Sequence, residues 1–151
     1  MMVPTNAEIQ IRGVTLQDVA ALFAVHGGLA SHWSGSAQCA IDINHRLLRP
    51  FHCVVAEFQG DVVGHAEWIV SEDLNHSGRR LYLGMFQIRE DFRGRGVGRK
   101  LLAHGEQFAA DKGCVALRTI PESDVIEFYL KCGFKSIGEA IGCKVHVQPS
   151  I

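Results

Sequence analysis

Arg93-Gly94-Arg95-Gly96-Val97-Gly98-Arg99-Lys100 gathers three glycines and four basic residues where a strand-like pattern gives way to a helical one. A helix starting here leaves its first backbone N–H groups without intrahelical partners, and its peptide dipoles favour negative charge at that end. Glycines at Gly94, Gly96 and Gly98 remove side chains that would keep a ligand away from those amides. Arg93, Arg95, Arg99 and Lys100 add positive charge around the same point. The chemistry offered is the binding of a pyrophosphate.

Spacing distinguishes the known glycine-rich phosphate loops. A nucleoside-triphosphate loop needs Gly-Lys-Ser/Thr, whereas Gly98 is followed by Arg99-Lys100. A dinucleotide loop needs Gly-x-Gly-x-x-Gly within a parallel βαβ unit, whereas Gly94, Gly96 and Gly98 alternate and follow a hairpin pattern. Arg-x-x-Gly-x-Gly remains, carried by Arg93, Gly96 and Gly98. Two further segments accompany it: Val-Val-Ala-Glu-Phe-Gln-Gly-Asp-Val-Val-Gly at 54–64, a hairpin, and Glu127-Phe128-Tyr129-Leu130-Lys131-Cys132-Gly133-Phe134, a helix running into a strand. Together, over roughly residues 9–140, they resemble the GNAT superfamily of acyl-CoA N-acyltransferases.

The resemblance implies roles residue by residue. The strand before the loop would splay from its neighbour and bond a pantetheine arm through main-chain groups of Gln87 and Ile88, with Phe86 adjoining. Backbone N–H groups of Arg93, Gly94, Arg95, Gly96, Val97, Gly98 and Arg99 would hold the pyrophosphate of acetyl-CoA, the cosubstrate. Ser123 stands near the place of an asparagine that often contacts the coenzyme, along a connection about one residue shorter. Tyr129 matches the family's tyrosine near the coenzyme sulfur and would act as general acid toward the departing thiolate. Its bland alternative is a core tyrosine on an apolar helix face beside Val125 and Ile126. The implied activity is acetyl transfer from acetyl-CoA to a primary amine of a small molecule or protein. Attack would be direct, in a ternary complex, with a main-chain N–H near Ile88 stabilising the oxyanion.

The amine sets its own demand. A lysine-type amine has a pKa of about 10.4 and is mostly protonated at neutral pH, so something must take its proton. Family members often place a carboxylate on the central strands, but Leu81 to Ile88 contains none. The nearest candidates are Glu67 and His65, two apart and therefore on one face of their strand. Glu67 would equally serve as a solvent-facing strand residue. The missing carboxylate and the replaced asparagine keep a second reading open: a catalytically weak acyl-CoA-binding regulatory or interaction module of the same fold.

The elements that must position these groups follow from periodicity. Ile9 to Arg12 alternates as a short strand, and Thr15 with Asp18 forms a capping box for a helix whose apolar face is Leu16, Val19, Ala20 and Phe23. Gly27 to Gln38 reads as loop, and Ala40 to Leu48 as a weaker helix ending before Pro50. Phe51 to Phe58 and Val62 to Val70 are strands around the turn Gln59-Gly60-Asp61; Leu81 to Ile88 follows the polar tip Ser71 to Arg80 to complete an antiparallel meander. Val97, Leu101, Leu102, Gly105, Phe108 and Ala109 form a helical stripe closed at Gly113. Cys114 to Leu117 is a buried strand, Pro121 to Asp124 introduces a helix through Cys132, and Phe134 to Val147 holds one or two strands interrupted near Gly142. The fold class is α/β (α+β mixed). The resemblance makes it a GNAT-like, mostly antiparallel sheet of six to seven strands flanked by about four helices, one domain over 1–151.

Composition narrows the classes. With 47% hydrophobic and 21% charged residues over 151, the chain reads as an ordinary globular protein. A net charge of −1, with basic residues concentrated in one turn, argues against nucleic acid and against anionic membrane. No apolar run reaches the ~18 residues of a membrane span, and Met1 to Gln10 lacks a signal-peptide pattern, so a cytoplasmic protein is expected. Cys39, Cys53, Cys114, Cys132 and Cys143 form no Cys-x-x-Cys pair and read as buried free thiols; the histidines show no metal-ligand spacing, so no metal is expected. For the acceptor, the resemblance implies a site shaped by Gly27 to Arg49, where His32, Trp33, Asp42 and His45 are candidates, and a homodimer is a possible assembly.

Overall fold

The computed structural model describes residues 8–26, 41, 43–44, 51–72, 79–121, 125–136 and 145–147. Its strands are β1 (Ile9–Gly13), β2 (Phe51–Phe58), β3 (Asp61–Glu72), β4 (Arg79–Ile88), β5 (Cys114–Thr119), β6 (Lys135–Ser136) and β7 (Val145–Val147). The α-helices with described bounds are α1 (Val19–Val25), α2 (Val97–Asp111) and α3 (Ile126–Lys131). Among the described residues the hydrogen-bonded strand order is β1-β2-β3-β4-β5-β7-β6, seven strands against the six to seven expected. Of the helix expected over Ala40 to Leu48, Ile41, Ile43 and Asn44 are helical; the rest, with the loop at Gly27 to Gln38, lies outside the described residues. Two compact units divide the chain: Met1–Glu67 with Met85–Leu102, and Trp68–Gly84 with Ala103–Ile151.

In the first unit β1 runs antiparallel to β2, from Ile9↔Phe58 to Gly13↔Val54. Gln59 (φ +49°) and Gly60 (φ +85°) are both left-handed, the two-residue turn whose twist matches that of the strands it joins. Asp61, expected in the loop, therefore already belongs to β3. The capping box forms, with the Thr15 N–H donating to Asp18 Oδ2 at 2.8 Å; the Asp18 N–H also closes a turn on Thr15 C=O at 3.0 Å. A 3₁₀ turn, Leu16–Asp18, precedes α1. Its tighter winding shifts the phase of the apolar face, so Leu16 is 52% exposed and Ala20 is exposed; Val19 and Phe23 of the expected face still pack, partly buried, against the core, whose fully buried helix residues are Leu22 and Val25. They pack with Val14, Ile43, Cys53, Val55 and Val62. Arg12 fastens the corner, reaching Asp18 at 2.8 and 2.9 Å and Glu57 at 2.6 Å. A Cβ on Gly64 would lie 3.1 Å from both Leu101 and Val97, so glycine here lets the start of α2 settle onto β3.

In the second unit β4 and β5 are parallel, from Arg79↔Cys114 to Leu83↔Thr119, and β7 is antiparallel to both β5 and β6. The second half of α2 packs its Gly105 on the buried Trp68, where a Cβ would fall 2.3 Å from the indole. Gly113 (φ +69°) ends α2, and Gly133 (φ +94°) ends α3, after which Phe134 N–H reaches Tyr129 C=O at 3.0 Å.

Candidate functional site

The glycine-rich segment lies where its spacing places it, between the end of β4 and the first turn of α2. A 3₁₀ turn, Glu90–Phe92, leads into it, with Phe92 buried against Phe58. Gly94 (φ +74°) and Gly96 (φ +85°) are left-handed, and a Cβ on Gly94 would meet nothing within 4 Å. Lys100 is the first residue whose N–H reaches back along α2, to Gly96 C=O at 3.2 Å. The amides of Val97, Gly98 and Arg99 precede that bond and have no acceptor within the helix. The Arg93 amide departs from expectation: it closes the preceding turn on Glu90 C=O at 3.3 Å.

The basic side chains divide their work. Arg93 Nε donates to the Ile88 carbonyl at 3.2 Å, tying the end of β4 to the loop. Arg89 and Arg95 lie 4.9 and 5.1 Å from the centroid of the Phe92 ring, and Arg99 is exposed. Arg89 also pairs with Asp91 at 2.6 and 3.0 Å, which holds the Asp91 carboxyl below the usual carboxylate range. Lys100, grouped by sequence with these cations, instead turns its ammonium to the Ile9 carbonyl.

The strand positions expected to meet a pantetheine arm share one property. The register of β4 with β5 stops at Leu83↔Thr119, and Gly84 to Ile88, including Phe86 and Gln87, run on with no described register partner in β5. The resemblance implies a splayed edge along this part of the strand. Ile88 C=O, however, is already engaged by Arg93. Ser123 lies outside the described residues, as do His32, Trp33, Asp42 and His45.

In the second unit Tyr129 is 4% exposed, with ring centroids 5.4 Å from Phe128 and 5.3 Å from Phe134. Burial pushes its phenol up to about 12, against a smaller opposing effect of a hydrogen bond with Thr119. The expected neighbours differ: Val125 is 38% exposed and Ile126 half-buried, so aromatic rings supply the packing.

The two candidate bases on β3 are both buried, which removes the solvent-facing alternative for Glu67. Glu67 Oε2 accepts from Cys53 Sγ at 3.6 Å. His65 Nδ1 lies 3.1 Å from Nε2 of His26, a residue the sequence gave no reason to single out because the contact spans 39 positions. His26, but neither His65 nor Glu67, lines a cleft of about 550 Å³ together with Ala24, Val25, Gln87, Arg89, Glu90, Asp91 and Arg93. No cluster of three His, Cys, Asp or Glu suited to a metal occurs among the described residues.

Comparison with known proteins shows the family. Residues 28–134 match the Acetyltransferase (GNAT) family, and the chain belongs to it. It is 31% identical over 103 residues to a thialysine N-epsilon-acetyltransferase of Bos taurus. That match covers 61% of this chain and 60% of the cattle protein, so the chain spans under two thirds of the relative's length. Among solved structures it is similar to a transcriptional regulator from Bacillus halodurans C-125, with a TM-score of 0.79 at 17% identity over 88% of this chain and 97% of the other. It is also similar to PaiA N-acetyltransferase from Thermoplasma acidophilum in complex with coenzyme A, with a TM-score of 0.73 at 18% identity over 93% and 98%. At such identities the likeness to these structures is one of fold.

Proposed function

We propose that this chain transfers an acetyl group from acetyl-CoA to a primary amine, by direct attack within a ternary complex. The observation that carries the reading is the start of α2, where amides from Gly94 to Arg99 precede the first intrahelical donor and two left-handed glycines clear the approach. These amides suit a pyrophosphate, and the main chain of Phe86, Gln87 and Ile88 suits the pantetheine arm. When bound, the thioester supplies an activated acyl carbon and a thiolate leaving group.

Tyr129 is assigned to the departing sulfur. Its proton is firmly held at neutral pH, because burial raises the phenol to about 12. An ordinary thiol ionises near 8.5, so full proton transfer from Tyr129 would be uphill by roughly 3–4 pKa units, about 5 kcal/mol. Tyr129 therefore stabilises the sulfur by donating a hydrogen bond as charge develops, and solvent completes the protonation. For the acceptor, the likeness to the cattle enzyme favours a small primary amine such as thialysine as the first to test.

Calorimetric titration with acetyl-CoA tests the reading, alongside Gly96→Ala and Gly96→Glu. The alanine adds the strain of a left-handed residue, about 1 kcal/mol, and no charge. The glutamate also sets a carboxylate against the pyrophosphate and should weaken binding at least ~100-fold with the fold retained. Equal affinity in all three chains would remove the loop from the site.

A second reading, an acyl-CoA-binding module with little turnover, has one observation in its favour: Arg79–Ile88 contains no carboxylate to serve as base. Tight acetyl-CoA binding with no product on a panel of primary amines would establish it.

A further inference from the structure

The segment that joins β4 to the glycine loop is held at each step by its backbone. The Arg89 N–H donates to Val63 C=O of β3 at 2.8 Å, and the Phe92 N–H closes a turn on Arg89 C=O at 2.8 Å. The Arg93 N–H closes the next on Glu90 C=O at 3.3 Å. Phe92 is 5% exposed and packs its ring on Phe58. The main chain that carries Glu90 and Arg93 is therefore firmly placed, as a recognition site requires.

Between this segment and the end of α1 lies the cleft of about 550 Å³, within the ~300–1,000 Å³ of small-molecule pockets. Its α1 wall includes the apolar Ala24 and Val25, and Val19–Val25 carries no charged residue. Four charged side chains line the cleft, two of each sign: Arg89, Glu90, Asp91 and Arg93. Arg89 and Asp91 neutralise each other at 2.6 and 3.0 Å. Arg93 commits Nε to the Ile88 carbonyl, which leaves the terminal nitrogens of its guanidinium. Among the described residues the Glu90 carboxylate is joined to no cation, Arg93 included. Glu90 and Arg93 are three apart around a 3₁₀ turn, the spacing that brings side chains to one side. The cleft thus presents one anionic and one cationic group side by side.

A polycation gains from Glu90 and is opposed by Arg93, and a polyanion meets the reverse. A guest with both charges gains from each. The head group of an α-amino acid is such a guest, with ammonium and carboxylate on one carbon. Gln87 connects this pocket to the chemistry: its residue lines the cleft, and its main chain belongs to the edge suited to the pantetheine arm.

We propose that the cleft holds the acceptor and takes an amino acid whose side chain carries the reacting amine. Arg93 receives the α-carboxylate and Glu90 the α-ammonium. This deepens the acetyl-transfer reading above and rests on it. Both residues select the acceptor and take no part in the bond changes.

The test compares thialysine with its deaminated analogue, which lacks the α-ammonium, and its decarboxylated analogue, which lacks the α-carboxylate. All three share the reacting aminoethyl thioether. The readout is the ratio of kcat/KM values between acceptors within one chain at saturating acetyl-CoA, so a change in carrier binding cancels. The wild-type chain should favour thialysine about tenfold or more over each analogue, a modest factor because both charges are exposed. Glu90→Gln should erase the preference over the deaminated analogue and keep the other. Arg93→Gln should do the reverse. A folded variant that slows all three acceptors equally has only a structural role, and that result overturns the proposal. So does a wild-type chain that uses either analogue as readily as thialysine, even if neither variant folds, or one that acetylates other amines and none of these three. Failure to bind acetyl-CoA, or to acetylate any amine, would instead defeat the acetyl-transfer reading, and this assignment with it.

Discussion

Arg93 Nε and the Ile88 carbonyl are 3.2 Å apart, so the first residue of the Arg-x-x-Gly-x-Gly motif grips the strand that precedes it. The guanidinium does this with one directed N–H and keeps its charge beside the loop. Arg93→Lys retains the charge and loses the planar donor. Acetyl-CoA affinity should therefore fall about tenfold in Arg93→Lys, nearly as far as in Arg93→Ala. Calorimetry on both chains checks this, and full affinity in the lysine chain would show that charge alone matters.

Tyr129 offers a measurement independent of turnover. Its phenol sits near 12 because it is buried, so the folded chain keeps this proton where an unfolded tyrosine, ionising near 10, loses it. The resulting stability is fully present below about pH 10 and is lost as pH rises toward 12. The chain has two tyrosines, so the ultraviolet phenolate signal of wild type minus that of Tyr129→Phe isolates this one. The difference should appear only near pH 12. The same variant should lower kcat by roughly 10–100-fold, with acetyl-CoA affinity unchanged.

Asp18 makes the opposite prediction at acid pH. Hydrogen bonds from Arg12, and then from the Thr15 amide, hold its carboxyl below the ordinary range despite burial. A depressed carboxyl contributes stability above its unfolded value of about 3.9, and that contribution fades as pH falls through the folded value. Asp18→Asn should cost about 1–2 kcal/mol at neutral pH, discounted because the Arg12 side chain is 39% exposed. Denaturant melts of the two chains should converge in acid; a constant gap would assign the cost to packing.

Patterns that depend on near neighbours were legible in the sequence. Phe51–Phe58 was bounded to the residue, and Val97 was read correctly as the start of a helix, after two of the three glycines. Half of the face of α1, Leu16 and Ala20, was misread because three residues of 3₁₀ winding turn further per residue than an α-helix, whereas Val19 and Phe23 pack as expected. Asp61 was given to the turn because sequence did not show that Gln59, a non-glycine, would take a left-handed position. At the site, the loop announced itself through composition. The His26–His65 contact and the Arg12 clamp join residues far apart in the chain, with no local periodicity to reveal them.

The ladder between β4 and β5 runs out at Leu83 and Thr119, and this bears on which substitutions the protein tolerates. A guest that docks along the remaining edge of β4 is met by peptide groups, as in strand addition, and side chains there take little part in its recognition. Variation at Phe86 and Gln87 should thus leave the carrier untouched while reshaping what is delivered to it. In the proposed encounter one half would be written in backbone, which mutation hardly edits, and the other in side chains, which it edits readily.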